Sequence, residues 1–349
     1  MKRTILSAIC LMTLGAGALF APPAAGAPRP LLAFVTWYGG SDLDIRVLYT
    51  DGTISDEVTP PGIELPPARL GNAGSWFSLS PDGQRIAFVG WTYGCVWAPV
   101  NQCPYWGESV IYTSNIDGTG LTPIYHPDDS LSLVANPEWS PDGKKILFHK
   151  YFKRVDGNKR HPDIWVLTET AVGTWEPSPL ITRPGGERWS EWSPDGRSIA
   201  YEYDPDSNGL VDKTDKQETP GSVIAVSSAD GSGPHRTLTD LGRFATDPAF
   251  SPDGRSIAYA DYPHSWASED GVIRLVDVDG SNDKKLGGGF KYPWALDFSP
   301  DGRFVAFGEG WKWQHSRILQ ISVRSPHRAT QLLDNPEVPD HLPEYFPMP

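Results

Sequence analysis

The tetrapeptide Ser-Pro-Asp-Gly recurs five times, beginning at Ser80, Ser140, Ser193, Ser251 and Ser299. Two residues after each copy comes an apolar run of one shape: Ile86-Ala87-Phe88, Ile146-Leu147-Phe148, Ile199-Ala200-Tyr201, Ile257-Ala258-Tyr259 and Val305-Ala306-Phe307. Proline presets φ at the first corner of a tight turn, aspartate can bond its own backbone, and glycine supplies positive φ. Every copy therefore predicts a hairpin tip between two antiparallel strands. The chain reads as an array of β units.

Flanking residues extend the unit. A strand ending in Leu79, Trp139, Trp192, Phe250 or Phe298 precedes each tip, and these large side chains are expected in the core between units. After the apolar run and a loop comes an alternating strand that often ends in Asp-Gly, as in Val110-Ile111-Tyr112 to Asp117-Gly118. A short segment such as Leu121-Thr122, Ile181-Thr182 or Leu238-Thr239 closes the unit. Four strands per repeat describe a propeller blade. Spacings of 60, 53, 58 and 48 residues between successive serines leave room for inserted loops.

A further unit is expected at the amino end, where Leu32-Ala33-Phe34 and Ile45 to Tyr49 match the second and third strands but no inner strand precedes them. Leu342-Pro343-Glu344-Tyr345-Phe346-Pro347 near the carboxyl end reads like Asn136-Pro137-Glu138-Trp139-Ser140-Pro141. The expectation is an all-β, six-bladed propeller of four-stranded blades over residues 28–349. Pairing of the C-terminal tail with the first blade would close it and remove free sheet edges.

The repeating [Trp/Phe]-Ser-Pro-Asp-Gly-x-x-[Ile/Val]-Ala-[Phe/Tyr] unit resembles the TolB-type propeller repeat, a WD-repeat-like module common in bacterial exported proteins. The resemblance covers essentially the whole chain after its leader and implies the propeller fold. It departs from TolB proper, since no globular domain fits between the leader and Leu31. It departs from propeller-bearing peptidases too, since no Gly-x-Ser-x-Gly elbow is present.

Residues 1–27 read as a signal peptide: Lys2 and Arg3, an apolar run from Ile5 to Phe20, then small residues at Ala24-Ala25-Gly26-Ala27. The run is short for a membrane span and Pro22 and Pro23 follow it. The expectation is an exported protein, periplasmic or secreted, with no transmembrane helix after cleavage. Cys95 and Cys103 would then meet an oxidising compartment and are expected to form one local disulfide, two buried thiols being the alternative. With 43 acidic against 30 basic residues, the net charge is −13. Nucleic acid and anionic membranes, which need a basic footprint, are excluded as partners.

One acidic segment carries metal-ligand spacing. Asp204, Asp206, Asn208, Asp212 and Asp215 place oxygens at positions 1, 3, 5, 9 and 12 of a loop, with Gly209 at 6 and the Leu210 carbonyl at 7. The spacing resembles the EF-hand calcium loop, its final Asp being closer to dockerin loops. Hard oxygen donors suit Ca²⁺, read as structural, and a solvated acidic turn is the alternative.

Loops between second and third strands share one face of a propeller, and here they are rich in aromatic residues. Trp37, Trp91, Trp106, His161, His264, Trp266, Trp311, Trp313 and His315 are the expected ligand-binding residues. Aromatic faces among Asp, Arg and His suit sugar rings or peptide side chains. The reading is a non-catalytic binding or scaffold propeller for a protein, peptide or glycan. The alternative is a carbohydrate-active enzyme, in which His149, His161, His264 and His315 would gather on a metal over the channel, in the manner of propeller oligogalacturonate lyases.

Overall fold

The computed structural model describes residues 30–37, 43–49, 77–92, 108–127, 132–153, 160–205, 221–263, 271–311, 314–326, 328–333 and 341–345. The chain begins with β1 (Pro30–Trp37) and β2 (Leu43–Tyr49). Five four-stranded antiparallel sheets follow, each in sequence order from one edge to the other. Blade 1 holds β3 (Phe77–Leu79), β4 (Arg85–Thr92), β5 (Glu108–Asn115) and β6 (Thr122–Tyr125). Blade 2 holds β7 (Ser132–Trp139), β8 (Lys145–Lys153), β9 (Arg160–Ala171) and β10 (Thr174–Ile181). Blade 3 holds β11 (Gly186–Trp192), β12 (Ser198–Asp204), β13 (Val223–Ser228) and β14 (Arg236–Thr237). Blade 4 holds β15 (Phe244–Phe250), β16 (Ser256–Tyr262), β17 (Gly271–Asp277) and β18 (Lys284–Phe290). Blade 5 holds β19 (Pro293–Phe298), β20 (Phe304–Trp311), β21 (Gln314–Ser322) and β22 (Ala329–Leu333). The last strand, β23 (His341–Tyr345), pairs antiparallel with β1, setting Leu32 opposite Tyr345 and Val35 opposite His341.

The blade count corrects the expectation from sequence. The protein is an all-β propeller with five four-stranded blades, not six, because the remaining sheet has three strands among the described residues, in the order β2-β1-β23. Residues 50–76, which follow the third-strand match in this unit, lie outside the described residues.

Each Ser-Pro-Asp-Gly forms the tip between the inner strand of a blade and the next. At Ser140 the hydroxyl donates to Asp142 Oδ1 (2.6 Å) and accepts from the Lys145 N–H (2.9 Å), while the Lys144 N–H donates to the same aspartate oxygen (3.0 Å). The glycines at the five tips have φ of 65–68°, a conformation that costs side-chain-bearing residues energy. One turn chemistry thus sets the strand register in every blade.

The Ile-Ala-Phe runs lie on the second strands, whose two faces meet the neighbouring blades, so they are continuously apolar rather than alternating. Ile86, Ile146, Ile199, Ile257 and Val305 are all fully buried. Hydrophobic clusters span adjacent blades: Leu147, Ile164 and Val166 of blade 2 pack with Trp192, Ile199 and Tyr201 of blade 3. Trp139, Trp192, Phe250 and Phe298 are buried, as their place in the repeat implies. The outermost strand of blade 2 carries Pro177 and Pro179, which remove outward donors and blunt an edge open to strand addition.

Candidate functional site

Inner strands β3, β7, β11, β15, β19 and β23 contact one another in succession, and so curve around one axis. Each runs toward a Ser-Pro-Asp-Gly tip. The start of an inner strand and the end of the second strand therefore lie at the opposite end, where the connections between second and third strands emerge. Midway along, the inner strands are interrupted. Register shifts fall between Ala135 and Glu138, Arg188 and Glu191, Thr246 and Ala249, and Trp294 and Asp297. Within each shift one residue is left-handed: Asn136, Trp189, Asp247 and Ala295, with φ of 53°, 53°, 50° and 48°. These are β-bulges, which re-aim side chains at barrel rims and beside functional sites. Asn and Asp tolerate this backbone, whereas tryptophan there costs about 1 kcal/mol.

The bulges bring polar groups of four blades together. Arg188 of blade 3 is buried and pairs with Glu202 (2.8 Å), with Asp204 at 3.7 Å. Thr246 Oγ1 of blade 4 donates to Glu202 Oε2 (2.5 Å) and lies 3.0 Å from Asp247 Oδ2. A hydroxyl has one proton, so Asp247, when protonated, donates to Thr246 Oγ1 and completes the chain. Burial pushes the Asp247 carboxyl up to about 7, which favours that arrangement near neutrality. Asp247 Oδ1 in turn accepts the Ala295 N–H of blade 5 (3.1 Å).

On the other side His149 of blade 2, with no exposed surface, meets Ser190 of blade 3. The Ser190 N–H donates to His149 Nε2 (3.2 Å), so the ring proton sits on Nδ1. Burial, and secondarily Arg188, pushes this imidazole down to about 3, so it is neutral at physiological pH. Its ring lies edge-on to Tyr151 (6.4 Å) and Trp189 (6.1 Å), both half-buried. Burial alone would depress Arg188, but Glu202, Tyr151 and Asp204 outweigh it and keep the guanidinium charged.

A second tier lies nearer the tips, at the residue two before each turn serine. Ser78 Oγ accepts the Trp139 N–H of the next blade (2.9 Å), and Glu191 Oε2 accepts the Phe250 N–H of the next (2.7 Å). Burial, then the Asp297 and Glu138 carboxylates, holds Glu191 well above the usual carboxylate range. Glu191 thus lies among Glu138 and Asp297, and Arg188 among Glu202, Asp204 and Asp247, so carboxyl groups of four blades face one another near the axis.

The structure places five of the nine expected ligand-binding residues at this same end, by backbone position. Trp37 pairs with Leu43, Trp91 with Ser109, His161 with Phe152 and Trp311 with Gln314, and His315 is the second residue of the third strand of blade 5. Trp106, His264, Trp266 and Trp313 lie outside the described residues, as do Cys95, Cys103, the leader 1–27 and all expected calcium ligands but Asp204. Asp204 is buried, with its carboxylate 3.7 Å from Arg188. Among the described residues no group of three or more His, Cys, Asp and Glu is arranged to hold a metal ion. Arg188, Trp189, Thr246 and Asp247 were missed from sequence. The signal was present: all precede a turn serine by four or five residues, at the bulge of the repeat.

No known family's sequence profile matches the chain. The chain is 23% identical to dipeptidyl-peptidase 5 of Porphyromonas endodontalis over 344 aligned residues, 88% of this chain and 43% of that protein. It spans less than half the length of the curated relatives it matches. Among solved structures, a putative TolB from Agrobacterium tumefaciens superposes with a TM-score of 0.53 at 20% identity, covering 79% of this chain and 86% of the other. An oligogalacturonate lyase in complex with manganese superposes with a TM-score of 0.58 at 12% identity, covering 95% and 78%.

The fold is a β-propeller, with a putative TolB among its structural neighbours. At these identities the likeness establishes fold alone, and one propeller scaffold carries unrelated functions. No helix among the described residues is long and apolar enough to cross a membrane.

Proposed function

We propose that this chain is an exported binding propeller, a leader over 1–27 followed by a propeller over 28–349, that recognises a protein, peptide or glycan at the mouth of its channel. The observation that carries the reading is the convergence of charged and aromatic groups from blades 2 to 5 around the axis, at the bulges midway along the inner strands. Arg188, Glu202, Thr246 and Asp247 form a hydrogen-bonded relay there, beside the half-buried faces of Trp189 and Tyr151. Preorganised polar groups beside partly accessible rings are what a binding site needs. Nothing in the relay is a nucleophile activated by a base: His149 Nε2 accepts from Ser190, and its low proton affinity suits a structural acceptor.

An array of immobilised glycans and peptides, read with three proteins, tests the reading. Asp247→Asn keeps both hydrogen bonds but removes the charge, and is expected to weaken captured ligands about tenfold, the loss of roughly one charge-assisted contact. Arg197→Ala, at a fully solvated tip on the opposite end, is expected to leave them unchanged. Ligands weakened by the second variant and not the first would reject the channel mouth.

The loop after Asp204 is proposed to hold a structural calcium ion through Asp206, Asn208, the Leu210 carbonyl, Asp212 and Asp215. Asp204 is drawn toward Arg188, so it is the weakest fit of the set. Calcium is expected to raise the melting temperature and a chelator to reverse the rise, with Asp212→Ala abolishing both. A melting curve indifferent to calcium removes the ion from the proposal.

A further inference from the structure

Independently of what the channel binds, we infer that β23 is an exchangeable strap. It leaves and returns, and the slot it fills accepts an extended peptide of its own pattern, with Asp297 holding either in place. Each inner strand packs against the first three strands of the blade before it, and β23 does the same against β19, β20 and β21. Its register on β1 copies that of a blade. Tyr345 lies opposite Leu32 and Glu344 opposite Ala33, as Trp139 lies opposite Ile146 and Glu138 opposite Leu147. His341 then falls opposite Val35, as Ala135 falls opposite His149, so β23 carries the same one-residue bulge.

What differs is how the strand is tied. Five inner strands run directly into a Ser-Pro-Asp-Gly turn that fixes them to their second strand, whereas β23 and β1 come from opposite ends of the chain and share no hairpin. Seven residues, 334–340, join β22 to β23, while two, 291–292, make the same crossing from β18 to β19. A strand with a slack link and no hairpin opens without breaking any pairing but its own. Donating a strand to a vacated place in a sheet is an established mode of peptide recognition.

The holding residue follows from the repeat. Two residues before the turn serine, Ser78 and Glu191 accept the N–H of Trp139 and Phe250 in the next blade, each the residue just before that blade's turn serine. Asp297 is buried at this position of blade 5, and the matching residue on β23 is Tyr345. Its carboxylate is therefore assigned to the Tyr345 N–H.

Hydrogen exchange on the full chain, read by mass spectrometry, tests the strap. Amides of β23 are expected to exchange about a hundredfold faster than those of β11 and β15, through local opening. Asp297→Ala is expected to speed β23 about tenfold further and leave β11 and β15 unchanged, and Asp297→Asn, which keeps an acceptor oxygen, to restore the original rate. A peptide of residues 340–347 with a photoreactive label at the position of Tyr345 is expected to mark Leu32 and its neighbours. Marking should begin only as the peptide nears the effective concentration of the tethered strand, about 1 mM. Exchange of β23 as slow as that of β11 and β15, or labelling outside β1 and blade 5, overturns the strap. Asp297→Ala without effect on β23, or Asp297→Asn no better than Asp297→Ala, removes Asp297 as its holder.

Discussion

Replacing Arg188 with methionine will destabilise the fold by about 3–5 kcal/mol at neutral pH, the usual cost of leaving buried charges without their partner. Arg188 and Glu202 are almost fully enclosed and lie 2.8 Å apart, and Asp204 shares the same guanidinium. Burial already holds Glu202 above its ordinary proton affinity, with Arg188 the largest influence in the opposite direction. Removing the guanidinium raises the folded-state affinity of both carboxyls for protons further.

The sign of the pH dependence follows. A carboxyl whose folded pKa lies above its unfolded value is protonated in both states at low pH and costs nothing there, and the penalty appears as pH rises above about 4. The deficit of Arg188→Met should therefore shrink toward acid, and adding Glu202→Gln should recover part of it at pH 7. Urea denaturation of the single and double variants at several pH values provides the measurement. A deficit below about 1 kcal/mol with no pH dependence would mean that the cluster is solvated and does not stitch blades 3 and 4.

Glu187→Gln is expected to act in the opposite direction and stabilise the protein. Glu187 faces blade 2, is fully buried, and is pushed up to about 8 by burial and then by Asp163, against the weaker pull of Arg183. Asp163 is itself pushed up to about 6 by burial. The folded chain keeps a proton on Glu187 that the unfolded chain has released. Stability is therefore fully present below the unfolded value and falls as pH rises toward 8, by about 3 kcal/mol at pH 7. The amide cannot ionise, so Glu187→Gln should flatten the curve between about pH 5 and 8, match wild type in acid and exceed it by a few kcal/mol at neutral pH. Parallel pH profiles for the two proteins would show that this seam opens to water.

Much of the architecture follows from local chemistry that needs no long-range information. Proline, aspartate and glycine specify the turn wherever they stand together, and Ile-Ala-Phe beside it requires a strand buried on both faces. The positions of hairpin tips, second strands and core aromatics such as Trp139 and Phe298 were legible for that reason. The number of four-stranded blades was not. A repeat motif announces a tip, but the first unit carries no Ser-Pro-Asp-Gly, and its sheet joins strands from opposite ends of the chain, a pairing no local motif counts.

The site divides the same way. Trp37, Trp91, His161, Trp311 and His315 could be assigned to one end from strand order alone, because every connection between second and third strands must leave a propeller on the same side. Arg188, Trp189 and Asp247 could not be recognised as neighbours of His149 and Glu202, which come from different strands or blades. Sequence determined the repeat and the face, since both depend on residues within a few positions of each other. Only the tertiary structure decided which charges meet at the axis, because neighbouring inner strands are brought into contact from repeats 48 to 60 residues apart, and the shift in proton affinity at Asp247 arises from that burial rather than from any residue beside it in the chain.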